Sequence, residues 1–403
     1  MAQKEHMYDA IIMSMLEYVV RDWWRYSAAL GLGIFLFLVL QPAARKAGLV
    51  DQPSQRKLHL SPIPLVGGIG IFLTFALSLT LFEISLTSYR MLLFCAGSLV
   101  IIGVLDDYID VPARLKFLAQ SLISLLLVLG GGIAVTELGL LVSDTVIAFG
   151  PVWATVFTVI AVIGVINAFN MLDGLDGLCG VMALIGFVAL LMLYFLSGNN
   201  RIAEDVVFLI LFIVVLSTFL LFNFDWIVRD RQVFLGDAGS MLIGVVVAFF
   251  LVTWAARYPA SDNSLLKVTS APWLIGLPIM DMVRVMLVRL IRGKSPFRAS
   301  RDHIHHLLQG LGLNQFLTLI VLSVVQLMLA SIGVLATLRE WPAAILFWGM
   351  FPIFISFAVV SWMIEAWAAS RKVVEEPNSG SKAKVVGIDH DRLKKSVSQR
   401  GSN

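Results

Sequence analysis

Apolar runs of near-helical length alternate with short polar islands along most of the chain. Eleven such runs can be drawn, at about 24–41, 64–84, 90–105, 117–135, 151–168, 179–197, 205–224, 239–256, 270–288, 315–338 and 342–368. Several approach the roughly twenty residues that an α-helix needs to cross about 30 Å of hydrocarbon. They carry no helix-sized polar face, so spanning helices are expected rather than the alternating strands of a barrel. The run at 90–105 is short, Pro272 and Pro278 interrupt 270–288, and 342–368 is long enough to tilt. The pattern predicts an all-α polytopic membrane protein of about eleven transmembrane helices, with the active site built from loops on one face. Residues 1–23 read as an amphipathic N-terminal lead, 24–368 as the membrane domain, and 369–403, rich in Lys, Ser, Gly and Asp, as a disordered tail.

Composition sharpens this. Of 403 residues, 59% are hydrophobic and 14% charged, far from the near-half apolar and quarter charged of soluble domains. A net charge of +3 is too small for a nucleic-acid partner. Cys95 and Cys179 lie in or beside apolar runs and imply no disulfide framework. Lys and Arg are unevenly placed. With the N-terminus outside, they concentrate in 42–63, 106–116, 225–238, 289–314 and the tail, which makes these segments, with 169–178, cytoplasmic.

All five polar islands fall on that same face. The third, 167–178, is the most telling: Asn167, Asn170, Asp173 and Asp176, with Gly174 and Gly177 behind the acids. Carboxylates and carboxamides at a span's end are expected to bind something, because intramembrane charge is costly. The first island holds Arg56, Lys57 and His59, which serve either as topogenic charge or as phosphate contacts. The second holds Asp106, Asp107 and Asp110, with Arg114 and Lys116. Helical spacing puts Asp106 and Asp110 on one face, where like charges repel and a divalent cation would relieve them. The fourth runs from Asn223 to Gly236-Asp237-Ala-Gly-Ser240, where Asp237 suits either a helix cap or a phosphate-binding helix start. The fifth holds Arg298, Arg301, His303, His305 and His306. Zinc is conceivable there, but a basic grip on phosphates is the better fit because no cysteine is near.

Taken in order over about 42–310, these islands resemble the polyprenyl-phosphate N-acetylhexosamine-1-phosphate transferases, nearest the bacterial undecaprenyl-phosphate GlcNAc-1-phosphate branch. The carrying residues are Leu49-Val-Asp-Gln-Pro with Arg56-Lys-Leu-His, Ile63-Pro-Leu-Val-Gly-Gly, Asp106-Asp107 with Asp110, 167–178, Val233-Phe-Leu-Gly-Asp-Ala-Gly-Ser, Pro278 with Asp281, and Ser295-Pro-Phe through His306. The resemblance implies a bacterial inner-membrane enzyme facing the cytoplasm and using Mg²⁺ or Mn²⁺. It would move a sugar 1-phosphate from a UDP-N-acetylhexosamine to undecaprenyl phosphate and release UMP, at the start of O-antigen or related lipopolysaccharide synthesis. By position, Asp106, Asp107 and Asp173 would be catalytic, and Asp237, Asp107 and Asp173 would hold metal. Arg56, His59, Asp110, Lys116, Asn170, Asp176, Asn223, Arg298, Arg301, His303, His305 and His306 would bind substrate. Ile304 splits the histidines, a spaced form that suits the GlcNAc branch. Partners beyond substrates and membrane lipid reduce to a homodimer as an open option. Two other functions compete: an Mg²⁺-dependent membrane prenyltransferase and a lipid-linked transporter. The first leaves 233–240 and 294–306 without a role, and the second expects a site at mid-membrane.

Overall fold

In the computed structural model, residues 2–52, 61–142, 144–197, 203–224, 227, 231–256, 266–296 and 302–375 are described. Among these, nine helices are long and apolar enough to cross a bilayer: α1 (Ala2–Ala47), α3 (Arg90–Ile109), α4 (Ala113–Gly131), α5 (Pro151–Leu172), α6 (Leu178–Ser197), α7 (Ala203–Asn223), α8 (Gly236–Ala256), α12 (Gln315–Leu338) and α13 (Ala343–Glu375). The chain is a helical membrane protein, as its apolar pattern predicts.

Two of the eleven expected spans take a different form. The run at 64–84 yields only α2 (Gly67–Leu79), a 13-residue helix. Its start is taken up by strand β2 (Ile63–Pro64), which pairs antiparallel with β1 (Val50–Asp51). The run at 270–288 splits into α9 (Ala271–Leu274) and α10 (Gly276–Ile291) at Ile275, whose φ of −133° leaves the helix. Such a break exposes backbone groups that must be satisfied inside the protein. Gln326 of α12 does this from the side: its amide donates to Leu274 O at 2.6 Å and accepts from Leu277 N at 3.0 Å. The short run at 90–105, by contrast, grows into a 20-residue helix because its polar end continues the helix to Ile109. At the termini, α1 carries a kink at Asp22, near the expected end of the lead, and α13 runs on to Glu375, past residue 368. A second small ribbon, β3 (Glu137–Gly139) with β4 (Ile147–Ala148), joins α4 to α5.

Helix α8 is the axis of the molecule. Its interior from Ala238 to Ala255 is buried throughout, and α3, α5 and α2 pack directly on it. Between apolar helices in a membrane, close backbone approach rather than hydrophobic burial drives association, and small residues permit it. Gly103 of α3 faces the backbone of Ala238 so closely that an added Cβ would lie 2.2 Å from Ala238 Cα. Gly68 of α2 meets Gly239 N in the same way, at 2.3 Å. These contacts press α2 and α3 against the first turn of α8. At the other end, Trp254 Nε1 donates to the buried Asp205 carboxylate at 2.9 Å, and Tyr89 OH donates to the same group. Helix α8 is thus held at both ends by polar contacts within a largely apolar bundle.

Candidate active site

The site forms where α8 begins. The segment 64–68 and the segment 234–235 exchange backbone hydrogen bonds: Phe234 N to Pro64 O at 2.9 Å, Gly67 N to Phe234 O at 3.0 Å and Gly68 N to Leu235 O at 3.2 Å. The chain then turns into the helix at Gly236, whose φ is +69° and whose absent Cβ would stand 2.5 Å from Asp107 Oδ2. Only glycine meets both demands. The Asp107 carboxylate uses that room to accept Asp237 N at 2.9 Å and Ala238 N at 3.4 Å. A residue of α3 therefore caps α8, satisfying two of the orphan amides of a helix start and placing negative charge at the positive end of its dipole.

This arrangement delivers Asp237 to the mouth of a cavity of about 650 Å³. Lys116, from the first turn of α4, places its ammonium between two carboxylates. It lies 2.7 Å from Asp106 Oδ2 and also donates to Asp237 Oδ2. Asp237 Oδ1 accepts Asn170 Nδ2 at 2.8 Å, and the same amide reaches Ser240 Oγ at 2.8 Å. Asp106 Oδ1 accepts Val111 N at 2.8 Å. The sequence predicts that Asp106 and Asp110 repel on one helical face. That repulsion is avoided in two ways: Asp110 leaves the helix as its cap with a φ of +55°, and Lys116 neutralises Asp106 directly. Removing one partner from a buried ion pair costs about 3–5 kcal/mol, so Lys116 is a structural member of the cluster as well as a cation lining the cavity.

Asp173 follows the end of α5 and lines the same cavity. Burial first, and then the negative charges of Asp237, Asp107 and Asp176, hold its carboxyl well above the usual carboxylate range. Without a cation, the pocket favours a neutral Asp173. Asp176 and Asn223 have a different place. Asp176 accepts Gln232 Nε2 at 2.9 Å. Asn223 accepts Gly177 N at 2.5 Å and donates to Val233 O at 2.9 Å. Both latch the loop after α5 to the segment leading into α8, and neither borders the cavity.

The rest of the polar lining comes from α10 and the short helix α11 (Ile304–Gly310). His303, His305, His306 and Arg289 line the same cavity as Lys116. Asp281 of α10 accepts His303 Nδ1 at 2.7 Å and Ile304 N at 2.9 Å, so it fixes the start of α11. His305 is buried against Gly174, and among the described residues its two ring nitrogens have no hydrogen-bond partner. Burial, and next the neighbouring His306, push its imidazole down to about 3. His305 is therefore neutral at physiological pH. It contributes a hydrogen-bonding ring, whereas the sequence reading groups it with a basic grip; a partly hydrated surface histidine would titrate near 6.5, but this one has lost its water.

Of the residues expected from sequence, Asp106, Asp110, Lys116, Asn170, Asp173, Asp237, His303, His305 and His306 border one cavity. Asp107 stands just behind it. Arg56, His59, Arg298 and Arg301 lie outside the described residues. Two polar lining residues escape the sequence reading. Gln120 is buried in α4 and accepts Asn167 Nδ2 at 2.9 Å; it sits one turn past Lys116, where its position at i+4 could have flagged it. Arg289 is also buried, with Nη1 donating to Pro296 O at 2.6 Å; as one of five Lys and Arg residues in its segment it reads as topogenic charge.

A membrane-embedded helical bundle with an acid–lysine–carboxamide cluster at one end of its central helix defines a class, the integral-membrane transferases, and residues 89–255 match glycosyl transferase family 4. The chain belongs to that family. It is 34% identical over 352 residues to the undecaprenyl-phosphate alpha-N-acetylglucosaminyl 1-phosphate transferase of Escherichia coli K12, covering 84% of this chain and 92% of the relative. The proteins of the same name from Yersinia pestis (34% over 343 residues; 84% and 90%) and Haemophilus influenzae (32% over 348 residues; 85% and 95%) are similar to it along comparable lengths.

Proposed function

We propose that the protein transfers N-acetylglucosamine 1-phosphate from UDP-N-acetylglucosamine to undecaprenyl phosphate and releases UMP, initiating a surface polysaccharide such as O-antigen. The observation that carries this reading is the Lys116 ammonium shared by Asp106 and Asp237, lining one cavity with Arg289 and the histidines. Acidic and cationic groups around one cavity suit a substrate that brings both phosphates and a cation. The Lys and Arg bias of the sequence supports a cytoplasmic orientation in a bacterial inner membrane, where a sugar nucleotide is supplied.

The donor set also suits Mg²⁺ or Mn²⁺. Among the described residues no three acids or histidines converge as a ready-made cage. Mg²⁺ does not need one, since it takes one or two carboxylates and completes its shell with water and substrate phosphates. Asp237 and Asp173 would hold it, and the ion would neutralise charge developing on the diphosphate. The chain's own groups do the rest. Lys116 offsets repulsion between the two anionic substrates, about 4 kcal/mol for unit charges 4 Å apart at an effective dielectric of 20. Asn170 holds the Asp237 carboxylate in place, and Asp107 fixes the helix start beneath it. In-line attack by the lipid phosphate, with Asp106 taking a proton, accounts for transfer in one displacement. A covalent aspartyl intermediate is the competing route, and inversion against retention at the transferred phosphorus separates them.

The prenyltransferase reading needs both aspartate-rich stretches turned towards one diphosphate. Asp110 borders the cavity but Asp176 does not and is tied to Gln232, which favours the sugar-phosphate transferase. The deciding experiment is UMP release by purified protein with Mg²⁺, UDP-GlcNAc and undecaprenyl phosphate. Release only when all are present supports the proposal. Turnover with a 6-deoxy or galacto-configured donor but not with UDP-GlcNAc overturns the donor and keeps the reaction class.

A further inference from the structure

Asp281 is 1% exposed in α10, beyond the acidic cluster and not bordering the cavity. Its carboxylate is nonetheless fully committed to the segment that carries the cavity's histidines. One oxygen pairs with His303 Nδ1 at 2.7 Å. The other accepts Ile304 N at 2.9 Å and lies 3.4 Å from Arg284 Nη2. Arg284 in turn donates to Asp302 O, so the same small network holds 302, 303 and 304. His303 is the N-cap residue of α11, yet its own side chain makes no cap bond. Asp281 supplies the cap from outside and leaves the imidazole for another task.

An ionised carboxylate can only accept, and Asp281 is held in that form against its burial, first by its bond to His303 and then by the nearby charges, Arg284 among them. The proton on the His303 ring is therefore on Nδ1, and Nε2 is the ring nitrogen left for the cavity that His303 lines. A carboxylate behind a histidine orients the ring, selects its tautomer and stabilises the imidazolium. We propose that Asp281 is a positioning residue for the transfer reaction: it fixes the angle of His303, keeps a proton on Nδ1 and stabilises the ring when Nε2 takes up a second proton, so that Nε2–H donates to a phosphate oxygen of the sugar nucleotide. The inference rests on the transferase reading above. It also explains why the acid lies on α10. The break at Ile275, splinted by Gln326, lets α10 run as a separate helix that carries Asp281 to the start of α11, while α11 itself packs on α12 and α13.

The test uses the full-length protein and three variants. Asp281→Asn keeps the shape but puts an NH₂ where one acceptor was, so the ring must carry its proton on Nε2 or lose its partner. His303→Gln removes the ring, and the third variant combines both. The expected result is a fall in kcat of at least about a hundredfold for Asp281→Asn, smaller than the loss from the same change in a serine-protease triad. KM for undecaprenyl phosphate should stay within about threefold. In the His303→Gln background, Asp281→Asn should cost no more than about threefold further, because residues acting as a unit are not additive. A full hundredfold loss in that background would make Asp281 merely structural and overturn the proposal, as would near-wild-type kcat for Asp281→Asn. ¹⁵N shifts of the His303 ring give a readout independent of turnover: a protonated Nδ1 in the wild type that loses its proton in Asp281→Asn. A wild-type ring protonated on Nε2 but not on Nδ1 refutes the proposal. If the wild type releases no UMP at all, the reaction reading fails, and the ring shifts still decide the positioning role.

Discussion

Replacing Lys116 with Met removes the one ammonium that Asp106 and Asp237 share and keeps the length of the aliphatic stem. The Nζ lies 2.7 Å from Asp106 Oδ2 and closer still to Asp237 Oδ2. The two carboxylate oxygens are thus held within about 5 Å, where two negative charges repel by about 3 kcal/mol at an effective dielectric of 20. The Lys116 side chain is 16% exposed and that of Asp106 8%, against 34% for Asp237, so solvent screens the pair only partly. Three kcal/mol is a factor of roughly 150, and the same charge is lost from the path of the incoming phosphates. Turnover of Lys116→Met, measured as UMP release in detergent or nanodiscs over a Mg²⁺ titration, should fall by at least about a hundredfold. Because the bare acid pair attracts a divalent ion, half-saturation should move to lower Mg²⁺. Lys116→Arg should recover little, since a planar fork does not replace a point charge between two carboxylates. Turnover within about threefold of wild type, or an unchanged Mg²⁺ titration, would refute the shared-ammonium reasoning.

Asp107→Asn should lower turnover and also weaken the start of α8 by about 1–3 kcal/mol, the value of charge-assisted hydrogen bonds to Asp237 N and Ala238 N; thermal unfolding in detergent reads this, and an unchanged Tm would remove Asp107 as the cap. Gly68→Leu drives a side chain into the backbone of Gly239 and should abolish folded yield on size exclusion, while Gly164→Leu, with nothing within 4 Å of its Cβ position, should be tolerated. Asp173 is held above its ordinary value, so the folded state without cation binds the proton more tightly than the unfolded chain; stability is full below the unfolded value near 3.9 and declines as pH rises through the folded one. In chelator at neutral pH, Asp173→Asn should therefore raise Tm while ending turnover, and added Mg²⁺ should stabilise the wild type but not the variant. His305→Gln should keep more activity than His305→Lys, because the ring it replaces is neutral across pH 5–9; equal loss in both would mean that the ring itself is required.

The apolar periodicity alone establishes a helical membrane protein, and the Lys and Arg distribution predicts that its polar islands share one face. These signals are local: a span's length and its flanking charge need no partner to be read. Asp106, Asp173, Asp237 and Lys116, which border one cavity, are likewise legible as candidates, because charge at the end of an apolar helix is costly and must be answered by something. What answers it is not legible. That Lys116 neutralises Asp106 and Asp237, that Asp107 is spent on the α8 amides, and that Asp176 and Asn223 latch loops all depend on contacts between residues far apart in sequence. The same holds for 64–84 and 270–288, whose apolar content predicts full spans. In the folded chain, β2 takes Pro64 from the first, whose helix stops at Leu79, and Gln326, 49 positions from Leu277, makes the break in the second tolerable. Burial of His305 was hidden for a similar reason. A histidine beside two arginines reads as basic until packing against Gly174 removes its water, and only the tertiary structure decides how much solvent each titratable group keeps.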